Sequence, residues 1–369
     1  MVIAANLIDF GFILLKVTFQ QLTIHESYMH RCIELASLAA GNVAPNPMVG
    51  ALLVHNNKII GEGYHKVYGA AHAEVNCIDS VEETDRHLIT RSSLYVSLEP
   101  CAHFGKTAPC ADLIIRHGIK KVFVGCRDPF IEVNGKGIEK LIAAGVDVTT
   151  GILENQCKEL NKRFFTFHTK HRPYIILKWA QTADPKIGNA GNNRLMITNE
   201  FTNRVVHKWR SEEAGIMAGT NTVMMDDPKL TNRLWNGHHP VRVIVDIDLR
   251  LPSSLKVFDG TAKTIVFNAL KHEESENLCY YQVTRDVNIV HQVLNGLYQM
   301  KIISVIIEGG AKLIQSFIDE GIWDEARVIT NNSLVLHSGV SSPILTDASV
   351  KMEEQYEGDI IKHYFPLYS

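Results

Sequence analysis

The strongest constraint in this sequence is a set of four side chains: His72, Glu74, Cys101 and Cys110. HAE at residues 72–74 offers an imidazole and a carboxylate, and LEPCAHFGKTAPC at 98–110 offers two thiols nine positions apart. Imidazole nitrogen and thiolate sulfur are the donors that tetrahedral zinc takes, and a catalytic site supplies three and leaves the fourth position to water. His72, Cys101 and Cys110 make such a set, so the fold must bring three separated segments to one point. Glu74 is not needed for coordination and is placed to move protons to and from a water on the metal. Cys110 precedes ADLIIRHG, a helical stretch, so its thiolate faces helix N-terminal N–H groups. The alternatives are a structural zinc site or buried unliganded thiols. A structural site takes four protein ligands, and no fourth Cys or His stands at knuckle spacing.

The other cysteines, Cys32, Cys77, Cys126, Cys157 and Cys279, read as core residues. Seven cysteines in all are an odd number and are not spaced as a disulfide framework, which points to a reducing compartment. With 369 residues and 46% hydrophobic content the chain can fill two cores, and a formal charge of -3 leaves no footprint for nucleic acid. The apolar start, MVIAANLIDFGFILLKV, is broken by Asp9 and lacks a basic beginning, so it reads as an extension and not as a leader or anchor. No other segment approaches membrane-spanning length, and the expected location is the cytoplasm.

Apolar spacing predicts a helix that begins at Ser27 and ends at Gly41, two strands joined at Asn56-Asn57, and then an alternation of helices and strands as far as VDVTTGIL. A basic connector follows, and YIILKWAQT opens a second alternating series through GIMAG, PVRVIVDI, KTIVF and SVIIEGG. This predicts an α/β chain with an N-terminal extension over 1–28, one domain over 29–170 and a second over 171–369. In the second half, IIEGG ends a strand with two glycines and opens a helix, so backbone N–H groups can approach a pyrophosphate. No G-x-G-x-x-G is present, which argues against a standard Rossmann site. Arg210 and Arg233 can hold a phosphate bidentately, or form surface salt bridges.

Zinc deaminases carry H-x-E…P-C-x-x-C with a Glu that is not a ligand. His72-Ala73-Glu74 and Pro100-Cys101 match it, while the second thiol comes late. PCAHFGKTAPC is similar to the stretched zinc motif of the pyrimidine deaminases of riboflavin biosynthesis, and APNPMVGALLV (44–54) and GEGYH (61–65) resemble the same family. From Pro173 onward, YIILKWAQTAD, VVHKWRSEEAGIMAGTNTVMMDDPKLTNR, PVRVIVD and VIIEGGAKLIQSFIDEGIWDE resemble the reductase domain that follows the deaminase in the bifunctional enzymes.

The resemblance implies a cytidine-deaminase-like three-layer α/β/α domain followed by a dihydrofolate-reductase-like α/β domain. It implies one Zn2+ per chain, NADPH, a phosphorylated pyrimidine substrate, no nucleic-acid or membrane partner, and a homo-oligomer. It implies Asn46 as a substrate contact of the deaminase, with the loop 102–109 as a pocket wall; His65 and His103 read equally as pocket-lining residues or as exposed or hydrogen-bonded histidines. In the reductase it implies substrate contacts at Arg210, Leu230, Arg233 and Glu308. Ala180, Thr222, Asp226 and Gly310 match positions around the dinucleotide. Asp184 and Glu308 are the candidate proton donors. Three segments depart from the family pattern: Pro185 stands for a glycine, residues 193–196 replace a tryptophan-containing segment, and HSGVSSP (337–343) replaces a glycine-rich loop. A deaminase joined to a degenerate reductase, and a non-catalytic zinc module, stay open as alternatives at this point.

Overall fold

The structure, a computed structural model, describes residues 22–102, 108–131, 133–189 and 195–367. Its first helix, α1 (Ile24–Ser37), starts three residues before the predicted one, inside the stretch read as an extension. The reason is a capping box: Thr23 Oγ1 accepts from the Glu26 N–H at 3.3 Å, and Glu26 Oε2 accepts from the Thr23 N–H at 2.8 Å.

Strands β1 (Gly50–His55) and β2 (Lys58–Tyr64) form a hairpin whose two loop residues, Asn56 and Asn57, take positive φ of 47° and 63°. That is the turn whose twist suits a tight hairpin, and asparagine tolerates it. Then come α2 (Ala73–Asp79), β3 (Ser93–Leu98), α3 (Cys110–Arg116), β4 (Lys121–Cys126), α4 (Lys136–Ala143) and β5 (Asp147–Thr150). The sheet order is β2-β1-β3-β4-β5, with β3, β4 and β5 parallel. Because side chains alternate along β1, Ala51 and Leu53 join Ile78, Ile114 and Leu141 of α2, α3 and α4 on one face. Leu52 and Val54 join Met29 and Cys32 of α1 on the other, making three layers.

Helices α5 (Glu154–Leu160) and α6 (Lys162–Lys170) lead to β6 (Tyr174–Thr182). The remaining elements are β7 (Lys186–Gly188), α7 (Glu200–Glu212), β8 (Gly215–Gly219), α8 (Thr220–Asp226), β9 (Val241–Val245), β10 (Thr264–Asn268), β11 (Glu273–Glu274) and β12 (Leu278–Gln282). After them come α9 (Ile289–Gln299), β13 (Ser304–Gly309), α10 (Ala311–Asp319), β14 (Glu325–Asn331), β15 (Val340–Ser341), β16 (Ala348–Tyr356) and β17 (Asp359–Pro366). They build a ten-stranded sheet, β11-β12-β10-β9-β8-β13-β6-β14-β17-β16, parallel from β12 to β14. Ile175 and Leu177 of β6 face the α9–α10 core, and Tyr174 and Ile176 face Val206 and Trp209 of α7. Lys178 shares the second face by the same alternation.

The two halves meet through buried charge. Arg163 of α6 forms a two-point ion pair with Glu213, and Arg327 lies 3.9 Å from the same carboxylate. Glu325 accepts from Arg327 at 2.6 Å and from Lys162 at 3.2 Å. The ion-paired groups across this junction are mostly buried, and buried ions persist only where partners satisfy them. Gly41 (φ 80°) packs so closely against α7 that a Cβ there would lie 2.1 Å from the Ser211 carbonyl oxygen.

Candidate active sites

In the first half the sheet converges the four residues of the zinc motif. His72 is the N-cap of α2 and makes no side-chain capping bond, which leaves its ring directed at the thiols. Cys101 follows Pro100 just beyond the end of β3, and Cys110 is the first residue of α3. Strand end and helix start are locked together, with the Ala111 N–H donating to the Cys101 carbonyl at 3.1 Å. His72 Nδ1 lies 3.6 Å from Cys101 Sγ and 3.3 Å from Cys110 Sγ, and the three donor atoms lie within 4.8 Å of one another. Zinc bond lengths at a tetrahedral angle call for N···S separations of roughly 3.6 Å. The donor set fits the metal.

Within the thiol pair, a hydrogen bond from Cys110, then His72, pulls the Cys101 thiol down, and the shared proton pushes Cys110 up. Glu74, in the first turn of α2, is 3% exposed; burial first, then Cys101, pushes its carboxyl up. Asn46 joins this site through His65. Its Nδ2 lies 3.2 Å from His65 Nε2, and His65 Nδ1 lies 3.0 Å from the Ala71 carbonyl oxygen. Burial lowers the His65 pKa, so the ring is neutral, donates from Nδ1 and accepts from Asn46. His103 and most of the loop 102–109 lie outside the described residues.

Sequence reasoning missed Glu99. It is buried, and its carboxylate accepts from the backbone N–H groups of Asp128, Gly135, Gly137 and Ile138 at 3.0–3.3 Å, fixing the loop beside the strand end that carries Cys101. An acid closing an apolar strand was the available signal.

In the second half, Lys178 of β6, Glu308 of β13 and Arg210 of α7 meet. Arg210 Nε and Nη2 donate to the two Glu308 oxygens at 2.6 and 2.7 Å, and Lys178 Nζ lies 3.4 Å from Oε2. The two-point edge of Arg210 therefore faces Glu308, and Nη1 reaches the Thr231 carbonyl at 3.3 Å. Lys178 went unread because one lysine in YIILKWAQT looks like a strand residue reaching for solvent. Arg233 is exposed, with Nη1 on Thr231 Oγ1 at 2.9 Å, and Leu230 is buried beside it at a positive φ of 47°.

The dinucleotide candidates gather at the strand ends. A Cβ on Gly309 would lie 2.6 Å from Thr222 Cγ2, and one on Gly310 would lie 3.4 Å from Thr222 Oγ1, so these residues touch. Gly310 (φ 86°) caps α10, Ala180 lies near the end of β6, and Asp226 closes α8 one turn beyond Thr222.

Asp184 has a different task from the one expected. It accepts from Thr182 Oγ1 at 2.6 Å and from the N–H groups of Leu336 and His337 at 3.1 and 2.8 Å, which holds its carboxyl down to about 2. It clamps two loops and has no proton to lend near neutral pH. Pro185 suits the turn, since its carbonyl accepts from Ser342 at 3.0 Å and the Lys186 N–H reaches Thr182 Oγ1 at 3.1 Å. Val340 and Ser341 of the replaced glycine-rich loop form β15, which pairs with β7. Of the segment 193–196, Asn193 and Arg194 lie outside the described residues.

Burial opposes charge on Glu308, but Arg210 and then Lys178 override it and hold the carboxyl down to about 2 from 4.5. A depressed acid stabilises the fold fully above its ordinary value and loses that contribution as pH falls through its folded value. Wild type should therefore melt above a Glu308→Gln variant near neutral pH, with the gap closing from pH 4.5 towards 2. A pH-independent gap in thermal melts would contradict this.

Fold and ligand set together define a deaminase domain with a zinc-binding site, followed on the same chain by a reductase domain. Residues 22–126 match the cytidine and deoxycytidylate deaminase zinc-binding region, and residues 173–336 match the RibD C-terminal domain. The chain belongs to the RibD family of riboflavin biosynthesis proteins. It is 40% identical over 311 residues to the riboflavin biosynthesis protein RibD of Aquifex aeolicus, covering 83% of this chain and 86% of that one. To RibD of Escherichia coli it is 30% identical over 325 residues, covering 82% and 86%. Its fold superimposes on a diaminohydroxyphosphoribosylaminopyrimidine deaminase/5-amino-6-(5-phosphoribosylamino)uracil reductase of Thermotoga maritima with a TM-score of 0.82 at 35% identity, covering 93% of this chain and 99% of that one. RibD of Acinetobacter baumannii gives a TM-score of 0.84 at 30% identity, with the same coverage. No helix among the described residues is long and apolar enough to cross a membrane.

Proposed function

We propose that the first half hydrolytically deaminates the diaminopyrimidine ribosyl phosphate and that the second half then reduces the ribosyl unit to ribityl with NADPH. The observation that carries this is the His72, Cys101 and Cys110 donor set at zinc-ligand separations, with buried Glu74 beside it. Zinc in such a set activates water for attack near neutral pH. Glu74 takes one proton of the attacking water and delivers it to the ring nitrogen, then takes the hydroxyl proton of the tetrahedral adduct and passes it to the amine, which leaves as ammonia as the C=O bond forms. Asn46, oriented by His65, holds the pyrimidine or its ribose.

In the second half Arg233, with the positive field of Arg210, holds the substrate phosphate. Leu230 and Glu308 line that site, and Ala180, Thr222, Asp226 and Gly310 hold the dinucleotide. The nicotinamide would supply hydride to C1′ of the opened ribosylamine, where ring opening leaves a C=N double bond to the pyrimidine's amine. Lys178 lends the proton that the imine nitrogen takes up as hydride reaches C1′. Burial pushes the Lys178 ammonium down, which eases that transfer, and Glu308 keeps it charged. The junction between the domains falls between residues 170 and 171, and the free cysteines fit a cytoplasmic setting.

The test is one incubation of zinc-loaded protein with the diaminopyrimidine ribosyl phosphate and NADPH, following ammonia and NADPH together. Ammonia release followed by NADPH oxidation is the expected course. Ammonia without oxidation of NADPH or NADH would remove the reductase assignment.

A further inference from the structure

We propose that His207 is a positioning residue of the reductase half: its imidazole fixes the backbone of Arg233 and so aims that arginine at the substrate phosphate. The proposal rests on the assignment of Arg233 to the substrate phosphate.

His207 lies on α7 three residues before Arg210, so both side chains leave one face of the helix. It is 1% exposed, and its Nδ1 accepts a hydrogen bond from the Arg233 N–H at 2.9 Å. With Nδ1 accepting, the ring proton of neutral imidazole sits on Nε2. Arg210 Nη1 stands 3.4 Å from Nε2 and also donates to the Thr231 carbonyl at 3.3 Å. Burial, then Arg210 and Arg233, hold the His207 pKa down to about 4, in keeping with a neutral ring.

The segment that His207 grips is strained. Asp227 and Leu230 take φ of 38° and 47°, a region non-glycine residues enter only where surrounding contacts over-determine it. Two such contacts stand out. One is Asn232, whose amide closes on Trp235 at 2.9 and 3.2 Å. The other is the His207 acceptor. Without it, the Arg233 N–H loses its partner, the segment relaxes, and Arg233 leaves its aim, while nothing that would touch the hydride acceptor moves.

Three variants separate this role from simple packing. His207→Leu and His207→Gln lack an acceptor at the Nδ1 position, and His207→Asn places an amide oxygen there. Reductase kcat and KM are measured with 5-amino-6-(5-phosphoribosylamino)uracil and with its dephosphorylated counterpart, alongside Arg233→Ala. We expect Leu and Gln to raise KM for the phosphorylated substrate roughly tenfold or more, as loss of a buried hydrogen-bond partner does. KM for the dephosphorylated substrate, kcat and ammonia release should hold, and Asn should restore most of the loss. If the Leu protein does not fold, the Gln and Asn pair decides. Equal effects on both substrates, or an Asn variant no better than Gln, would overturn the proposal. If Arg233→Ala abolishes the preference for phosphate and the Leu and Gln variants keep it, His207 alone is misassigned. If Arg233→Ala keeps the preference, the phosphate reading fails and takes this inference with it.

Discussion

Replacing Glu74 by glutamine leaves zinc bound and lowers ammonia release by about 10²–10⁴-fold, the usual contribution of a positioned acid-base group. Glutamine matches the volume of glutamate, so the buried place in the first turn of α2 stays filled. His72, Cys101 and Cys110 keep their geometry, because Glu74 is not among the donors that converge. What disappears is a group able to take a proton from water and hand it on. Metal content and ammonia release measured on the same preparation check this. NADPH oxidation with pre-deaminated intermediate is the internal control, since that site lies in the other sheet. A variant that kept both its zinc and its ammonia release would remove Glu74 from the mechanism and favour a non-catalytic zinc module.

Replacing Lys178 by methionine slows NADPH oxidation by about 10²-fold or more and leaves ammonia release untouched. Methionine keeps the length of the stem and removes the only part that carries a proton. The neighbouring carboxylate does not become an orphan, because Arg210 still holds Glu308 at 2.6 and 2.7 Å. The loss therefore reports chemistry more than collapse, which a melting curve of the variant verifies. An unchanged rate would mean that the proton comes from water and that Lys178 serves only to balance charge.

The candidate zinc set was legible because His72, Cys101 and Cys110 stand near a strand end and at helix starts, positions that sequence punctuation marks well. Pro100 ends one strand, and Cys110 opens a helix whose apolar spacing is plain. The hairpin at Asn56-Asn57 was legible for the same local reason. The start of α1 was written in Thr23 and Glu26, but the apolar run beyond residue 27 drew the boundary too late. The reductase cluster was harder. Lys178 and His207 come from elements far apart in sequence and each taken alone is an ordinary strand or helix residue, while Glu308 stood out only through the family resemblance. Only the order of the ten strands, with β6 beside β13 and α7 laid over that face, gives them a common address. Asp184 was read as a proton donor because an acid near an expected cofactor suggests chemistry, whereas its hydrogen bonds from Thr182 and from the distant Leu336 and His337 make it a clamp.

Glu308 and Gly310 stand two residues apart at the end of one strand, the first paired with Arg210 and the second opening α10. Consecutive Cα atoms are about 3.8 Å apart, a spacing set by covalent bonds. With substrate and dinucleotide bound as proposed, one residue faces the sugar and the other the dinucleotide, so the polypeptide itself acts as a ruler between the two reactants. Side chains around it can breathe without changing that gauge. Selection for a different substrate could then rework the arginines and the loops freely, while the interval from 308 to 310 would tolerate neither insertion nor deletion.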